Sequence, residues 1–324
     1  MATIHDVAER AGVSVTTVSR VLNNRGYISD KTRQNVYKIM EELNYQPNEL
    51  ARSLLRKQSN VIGLIVPDIA HPFFSELAKS VESAAYDNGC KLLLCNSQLD
   101  PVKEKEYIDM MKRNRVDGII MGSHTLDVDV YRDLSYPIVT LDRRIDGIPF
   151  VASDNAHGGE LAAKLLIGKG CKKIVHLCGN LQLDLLANLR TESFVRTVRE
   201  AGAECTVLQT SMNVFDQKEY ENLIISLFDA HIEVDAIFAT SDIIAAFAVK
   251  WCRKLKLDVP RQVKIVGYDD VATAAWLHPE LTTVRQPIED MGRAAFELLR
   301  RQINEEPWEL ANVLPVELIE RETT

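Results

Sequence analysis

Ala2 to Asn23, ATIHDVAERAGVSVTTVSRVLN, is the stretch from which the rest of the chain can be read. Thr3 is placed to cap a short helix with Asp6 as its acidic partner, and Ile4, Val7, Ala8 and Ala11 give that helix one apolar face. Gly12 ends it, and Val13 is expected as a buried turn residue. Ser14 then caps a second helix, whose Val18 and Leu22, one turn apart, pack back on the first. The opposite face carries Val15, Thr16, Ser19 and Arg20, short polar and methyl-bearing groups plus one guanidinium, suited to base edges and phosphates in a major groove. Two short helices about a glycine turn make a helix-turn-helix, a pair that also occurs in proteins that never touch DNA.

Moving outward, Ser29 caps a third helix, where Val36, Ile39, Met40 and Leu43 recur at helical spacing and close a three-helix core. Pro47 stops it, and Asn48 caps the short segment ELARSLL. Its leucines are too few for so short a helix to stand alone in water, so it is either a frayed linker or a hinge helix that forms with a partner. The run from Ala2 to Asn23 resembles, nearly residue for residue, the amino-terminal signature of the lactose/galactose-repressor family of bacterial transcription regulators. The resemblance implies that Val15, Thr16 and Arg20, with Ser19 beside them, read operator bases and that Tyr27 meets the DNA near its backbone. It further implies that Leu54 wedges into the minor groove, flanked by Asn48, Ala51 and Arg52.

The 324 residues suit a small domain plus one or two larger ones. Net charge is −8, yet residues 1–60 hold nine Lys and Arg against six Asp and Glu, while the remainder holds 29 against 40. The basic part is thus the part proposed to touch a polyanion, and the acidic body limits non-specific adhesion. The six cysteines show no Cys-x-x-Cys pair and read as reduced core residues, with metal binding a remote alternative. No signal peptide precedes Thr3 and no apolar run approaches the ~20 residues a bilayer requires, so a soluble cytoplasmic protein is expected, with no membrane partner, no metal and no cofactor.

From Val61 the pattern alternates strand, loop and helix, with near-continuous apolar runs expected for strands buried on both faces of a parallel sheet. Seven such runs stand out, VIGLIVP, KLLLC, DGIIMG, PIVTLD, KIVHLCG, AIFAT and KIVGYDD, separated by amphipathic helices such as 73–88, 101–113, 156–169 and 242–255. This is a doubly wound α/β pattern that fits one wide sheet or two lobes equally well. The family resemblance continues through this region and implies a two-lobed, periplasmic-binding-protein-like core. On that reading residues 1–46 form the helix-turn-helix domain, 47–58 the hinge, and 59–324 the sugar-binding core. The first lobe takes 59–155 and 287–315, the second 156–286, and 316–324 cross back.

Ligands of open α/β sheets sit beyond the carboxyl ends of the strands, and those ends are polar and aromatic here. The resemblance implies Phe73, Phe74 and Phe215 as walls of a sugar site, with Asp142, Arg143, Arg190, Ser241, Asp269 and Gln286 as its hydrogen-bonding groups. The bland alternatives are that Phe73 and Phe74 are core, Asp269 a helix cap and Asp142–Arg143 a structural ion pair. His71 and Ser241 depart from the asparagine that relatives often carry. The leading expectation is a sugar-responsive, operator-binding repressor acting as a homodimer, nearest in character to regulators of ribose and sucrose operons. The rivals are a sugar-active enzyme with an accessory DNA-binding segment, and a regulator answering to a protein or a phosphorylated corepressor. No G-x-x-x-x-G-K, H-E-x-x-H or G-x-S-x-G motif supports the enzyme. Leu54→Ala is expected to weaken specific operator binding more than non-specific binding when labelled operator is titrated against competitor DNA; equal losses on both would remove Leu54 from the base step.

Overall fold

The computed structural model describes residues 2–46, 58–126, 128–132, 136–182, 184–210, 216–229 and 233–324, which leaves Asn48, Ala51, Arg52, Leu54 and Phe215 outside the described residues. The chain divides into two units, Met1–Ser59 and Asn60–Thr324. The first unit holds helices Ile4–Ala11, Val15–Leu22 and Asp30–Glu42. Thr3 and Asp6 form a reciprocal capping box, the Thr3 amide reaching Asp6 Oδ2 at 2.7 Å. Gly12 ends the first helix in the left-handed region at φ 66°, a position where a Cβ would be strained. Val7, Val18, Val21 and Val36 are fully buried and make the small core. Val21, rather than Leu22, is the full partner of Val18, and Leu22 and Val13 are only half-buried. The three- and four-residue spacings differ by a fraction of a turn, so both positions touch the core and packing decides which goes deeper.

The second unit contains two six-stranded sheets. The first joins β1 (Val61–Val66), β2 (Lys91–Asn96), β3 (Gly118–Met121), β4 (Ile138–Leu141), β5 (Phe150–Ser153) and β11 (Ala311–Leu314) in the order β11-β5-β4-β3-β1-β2, all parallel. The second joins β6 (Lys173–Cys178), β7 (Glu204–Gln209), β8 (Ala236–Ala239), β9 (Lys264–Asp269), β10 (Thr282–Arg285) and β12 (Glu317–Ile319) in the order β12-β10-β9-β8-β6-β7, with β12 alone antiparallel. The chain passes between sheets three times: after β5 into helix Asn155–Gly168, after β10 into helix Ile288–Ile303, and between β11 and β12.

All seven apolar runs are strands, and five more strands lie where no long apolar run marks them. These are β5, β7, β10, β11 and β12, each short or interrupted by polar residues. The expectation of burial on both faces fails for β2, which is an edge strand with Leu94 42% exposed. Helix Ile288–Ile303 packs Met291, Ala295 and Leu299 against Leu77 and Val81 of helix Pro72–Asp87, completing the core of the first lobe. In the second lobe, helices Asn155–Gly168 and Asn188–Glu200 meet through Gly159, where a Cβ would lie 2.3 Å from the Arg190 carbonyl oxygen and 2.2 Å from Ser193 Oγ. Gly159→Ala gains about 1 kcal/mol of helix propensity, but overpacking against backbone costs about 1–3 kcal/mol, so a net loss is expected in urea unfolding. A variant as stable as the parent would show that the two helices separate freely.

Candidate functional site

The outward face of helix Val15–Leu22 is the first candidate surface. Thr16 and Arg20 are exposed, Tyr27 in the next loop is 98% exposed, and Arg25 and Lys31 add positive charge nearby. Val15 and Ser19 are half-buried: Val15 leans on the helical core, and the Asn23 amide donates to the Ser19 carbonyl at 2.8 Å. Of the expected base-reading groups, Thr16 and Arg20 therefore project furthest.

The second candidate is a cavity of about 230 Å³ where the carboxyl ends of the strands of both sheets meet. Phe73, Phe74, Asp142, Arg190, Ser241, Asp269 and Gln286 all line it. Phe73 and Phe74 stand edge to face, 5.1 Å apart, with Phe73 also part of the first-lobe core, so wall and core readings both hold for it. Asp142 follows β4 at φ 53° and Asp269 ends β9 at φ 115°, non-glycine residues in strained left-handed backbone that both line the cleft.

A continuous chain of hydrogen bonds joins these two carboxyl groups. Asn155 Nδ2 donates to Asp142 Oδ1 at 3.1 Å, and Arg190 Nε donates to Asn155 Oδ1. The same guanidinium donates to the Thr240 carbonyl at 3.2 Å and to Gln286 Oε1 at 3.3 Å, and lies 3.9 Å over the Tyr268 ring. Gln286 also accepts from Ser153 Oγ at 2.7 Å and donates through Nε2 to Asp269 Oδ1 at 2.6 Å. Asn155 and Gln286 sit on the passages between lobes, so this network spans both. Burial raises the Asp142 carboxyl above its ordinary range against the opposing pull of Arg190 and Asn155. Burial likewise pushes Asp269 up to about 7, opposed by Arg190 and Gln286 and reinforced by the charges of Asp142 and Glu76.

Two expected groups behave otherwise. Arg143 is turned into the first lobe, its guanidinium donating to the carbonyls of His124 and Leu126 at 3.3 Å and lying 5.5 Å over the Tyr131 ring. Asp142 itself lies in left-handed backbone just past β4, which turns the chain so that Arg143 leaves the cleft and packs on the loop after β3. Ser241 lines the cleft, but its hydroxyl caps helix Asp242–Lys254 by accepting the Ile244 amide at 3.3 Å. His124, Asn188 and Tyr220 also line the cavity and were not singled out from the sequence. His124 Nε2 donates to the Leu141 carbonyl at 2.6 Å, and burial pushes the ring down to about 3, so it is neutral. Asn155 was missed because it follows β5, itself unmarked by a long apolar run; His71, at the head of its helix, is buried and pushed down to about 4.

Residues 3–48 match the lacI family of bacterial regulatory proteins, and residues 163–324 match a periplasmic binding protein-like domain. The chain belongs to the lacI family of bacterial regulatory proteins. Over its whole length it is 40% identical to the ribose operon repressor of Halalkalibacterium halodurans, covering 97% of that protein. It is 39% identical to the sucrose operon repressor of Streptococcus mutans, again over its whole length and 99% of the relative's. The solved lac repressor dimer bound to operator and the anti-inducer ONPF matches 99% of this chain and 98% of its own, at 26% identity and a TM-score of 0.88. No helix among the described residues is long and apolar enough to cross a membrane, and all six cysteines are free thiols.

A carboxyl raised on folding contributes stability that is fully present below its unfolded value, near 3.8, and lost as pH rises through about 7. Asp269→Asn abolishes this titration. The stability of the variant relative to the parent is therefore expected to improve between about pH 5 and about pH 8, read from urea midpoints. A difference independent of pH would place the Asp269 carboxyl in water rather than in the buried network.

Proposed function

We propose that the protein is a cytoplasmic, sugar-responsive repressor of a carbohydrate-utilisation operon that binds a pseudo-palindromic operator as a homodimer. The reading rests on the network from Asp142 through Asn155, Arg190 and Gln286 to Asp269, which lines the cleft and spans both lobes. Two carboxyl groups offer acceptors to hydroxyl donors, Arg190 offers a donor, and Phe73 and Phe74 offer flat faces to C–H surfaces. Among the described residues that line the cleft Arg190 is the one cation, and it is already bonded to Asn155, the Thr240 carbonyl and Gln286, which favours a free sugar over its phosphate. The names of the ribose and sucrose operon repressors point the same way. Phe215 completes the wall, and Ser241 contributes as the cap that presents the head of its helix.

At the DNA end, Thr16 and Arg20 read bases with Val15 and Ser19 beside them, and Tyr27 meets the backbone. Asn48, Ala51, Arg52 and Leu54 form the hinge in residues 47–58, between a DNA-binding domain of 1–46 and a core of 59–324. The dimer is supported by the solved lac repressor dimer bound to operator, and a two-fold dimer implies paired half-sites. A sugar acts on the operator through its different affinity for two arrangements of the lobes. Hydroxyls that take up Asp269 and Arg190 compete with Gln286 and Asn155, the residues that join the lobes.

The test is a thermal-shift panel of D-ribose, sucrose and their phosphates, run with and without palindromic operator DNA. A free sugar is expected to raise the unfolding midpoint and to release labelled operator. Asp269→Asn is expected to hold operator and no longer release it. Stabilisation by phosphorylated sugars alone would favour the corepressor reading, and release of Asp269→Asn at parental sugar concentrations would make Asp269 a structural turn residue.

A further inference from the structure

We infer that Arg321, in the segment that follows β12, is a positioning residue for the effector cleft, acting on Asp269 through Asp270. The inference rests on the sugar reading of the cleft. Asp269 and Asp270 are consecutive non-glycine residues with φ of 115° and 56°. Backbone of this kind persists only where its surroundings over-determine it, so the question is what holds the turn.

The Asp270 carboxylate is held by one cation on each oxygen. Arg321 donates to Oδ1 at 2.6 Å and Arg285 to Oδ2 at 2.7 Å. This differs from an ordinary surface ion pair, because the Asp270 side chain is 6% exposed and that of Arg321 15%. Arg321 is itself fixed: a second guanidinium nitrogen donates to the Leu281 carbonyl at 2.7 Å, and its amide donates to Thr282 Oγ1 at 2.8 Å. Two residues on, the fully buried Thr323 donates through its hydroxyl to the Ile265 carbonyl at 2.7 Å and accepts the Thr282 amide at 2.8 Å. The segment is therefore laced into β9 and β10.

The far side of the turn is held as well. Val271 donates its amide to Asp242 Oδ2 at 2.9 Å, and Asp242 Oδ1 accepts from Thr283 Oγ1 at 2.5 Å. The Val271 side chain belongs to the hydrophobic cluster of the first lobe with Phe73 and Ile288, and the Ala272 amide reaches Glu76 Oε1 at 3.3 Å. Within four residues the chain presents the Asp269 carboxyl to the cleft, anchors Asp270 on Arg321 and Arg285, and plants Val271 in the opposite lobe. Loosening the Arg321 anchor leaves Asp270 paired with Arg285, so no buried charge is orphaned and the protein folds. What is lost is the aim of the neighbouring carboxyl, and small misplacements of a binding group are costly.

The test titrates the full-length protein with D-ribose and with sucrose by calorimetry. Arg321→Ala is expected to weaken sugar binding about tenfold, while Arg321→Lys, which keeps a cation on Asp270, stays within about threefold of the parent. Asp270→Asn is expected to weaken it as well, and the double variant to be no weaker than the weaker single, as for residues acting as one unit. Parental sugar affinity in Arg321→Ala and Asp270→Asn overturns the assignment, as does Arg321→Lys binding no better than Arg321→Ala. A parent protein silent to both sugars overturns the sugar reading itself and takes this assignment with it.

Discussion

The guanidinium of Arg190 is the group on which the cleft depends. It is buried, it bonds to Asn155, the Thr240 carbonyl and Gln286, and it stacks on Tyr268. Without it, the buried carboxyls of Asp142 and Asp269 would keep only amide partners and lose the charge that opposes the upward push of burial on both. A planar fork of five donors can serve three acceptors from two lobes at once, which an ammonium on a flexible stem does less well. The ligand site and the joint between lobes are thus one set of hydrogen bonds.

That economy has a physical consequence for switching. A ligand changes an equilibrium only to the extent that it binds one arrangement better than the other. Here the groups that offer themselves to hydroxyls, Asp269, Gln286 and Arg190, are also the groups that tie the passages after β5 and β10. Further bonds cross between lobes, from the Leu186 amide to the Asp142 carbonyl at 2.8 Å and from the Ala272 amide to Glu76. The strained backbone at Asp142, Asp269 and Asp270 lies at these junctions, held by surrounding bonds rather than by local preference.

A buried polar cluster behind the first sheet serves the same end. Glu104, fully buried, accepts from Ser123 Oγ at 2.6 Å, from the Thr125 hydroxyl at 2.9 Å and from the Tyr131 hydroxyl, while Ser97 bonds Ser123 at 2.7 Å. With Arg143 donating to the carbonyls of His124 and Leu126, the loop after β3 is pinned from both sides. Ser97 and Arg143, both near strand ends, face this support rather than the cavity.

The sequence alone determined the helix-turn-helix, because a capping box, serine caps, a glycine stop and helical periodicity are local signals that need no distant partner. It likewise determined the seven strands marked by apolar runs and, just at or past the ends of two of them, Asp142 and Asp269, since a strand of a covered sheet must be apolar and its end need not be, whereas Phe73 and Gln286 came through the family resemblance. The strand pattern by itself left one sheet or two open, the family resemblance implied two lobes, and the tertiary structure shows two sheets, in which β5, β10, β11 and β12 are three or four residues long and acquire their identity from the strand beside them. Only the tertiary structure separated Asp142 from Arg143, chose Val21 over Leu22, and brought Asn155 and Arg321 to the cleft and its supporting turn. Side-chain direction, edge pairing and contacts between residues far apart in the chain are set by packing, and packing leaves no periodic trace in the residues it joins.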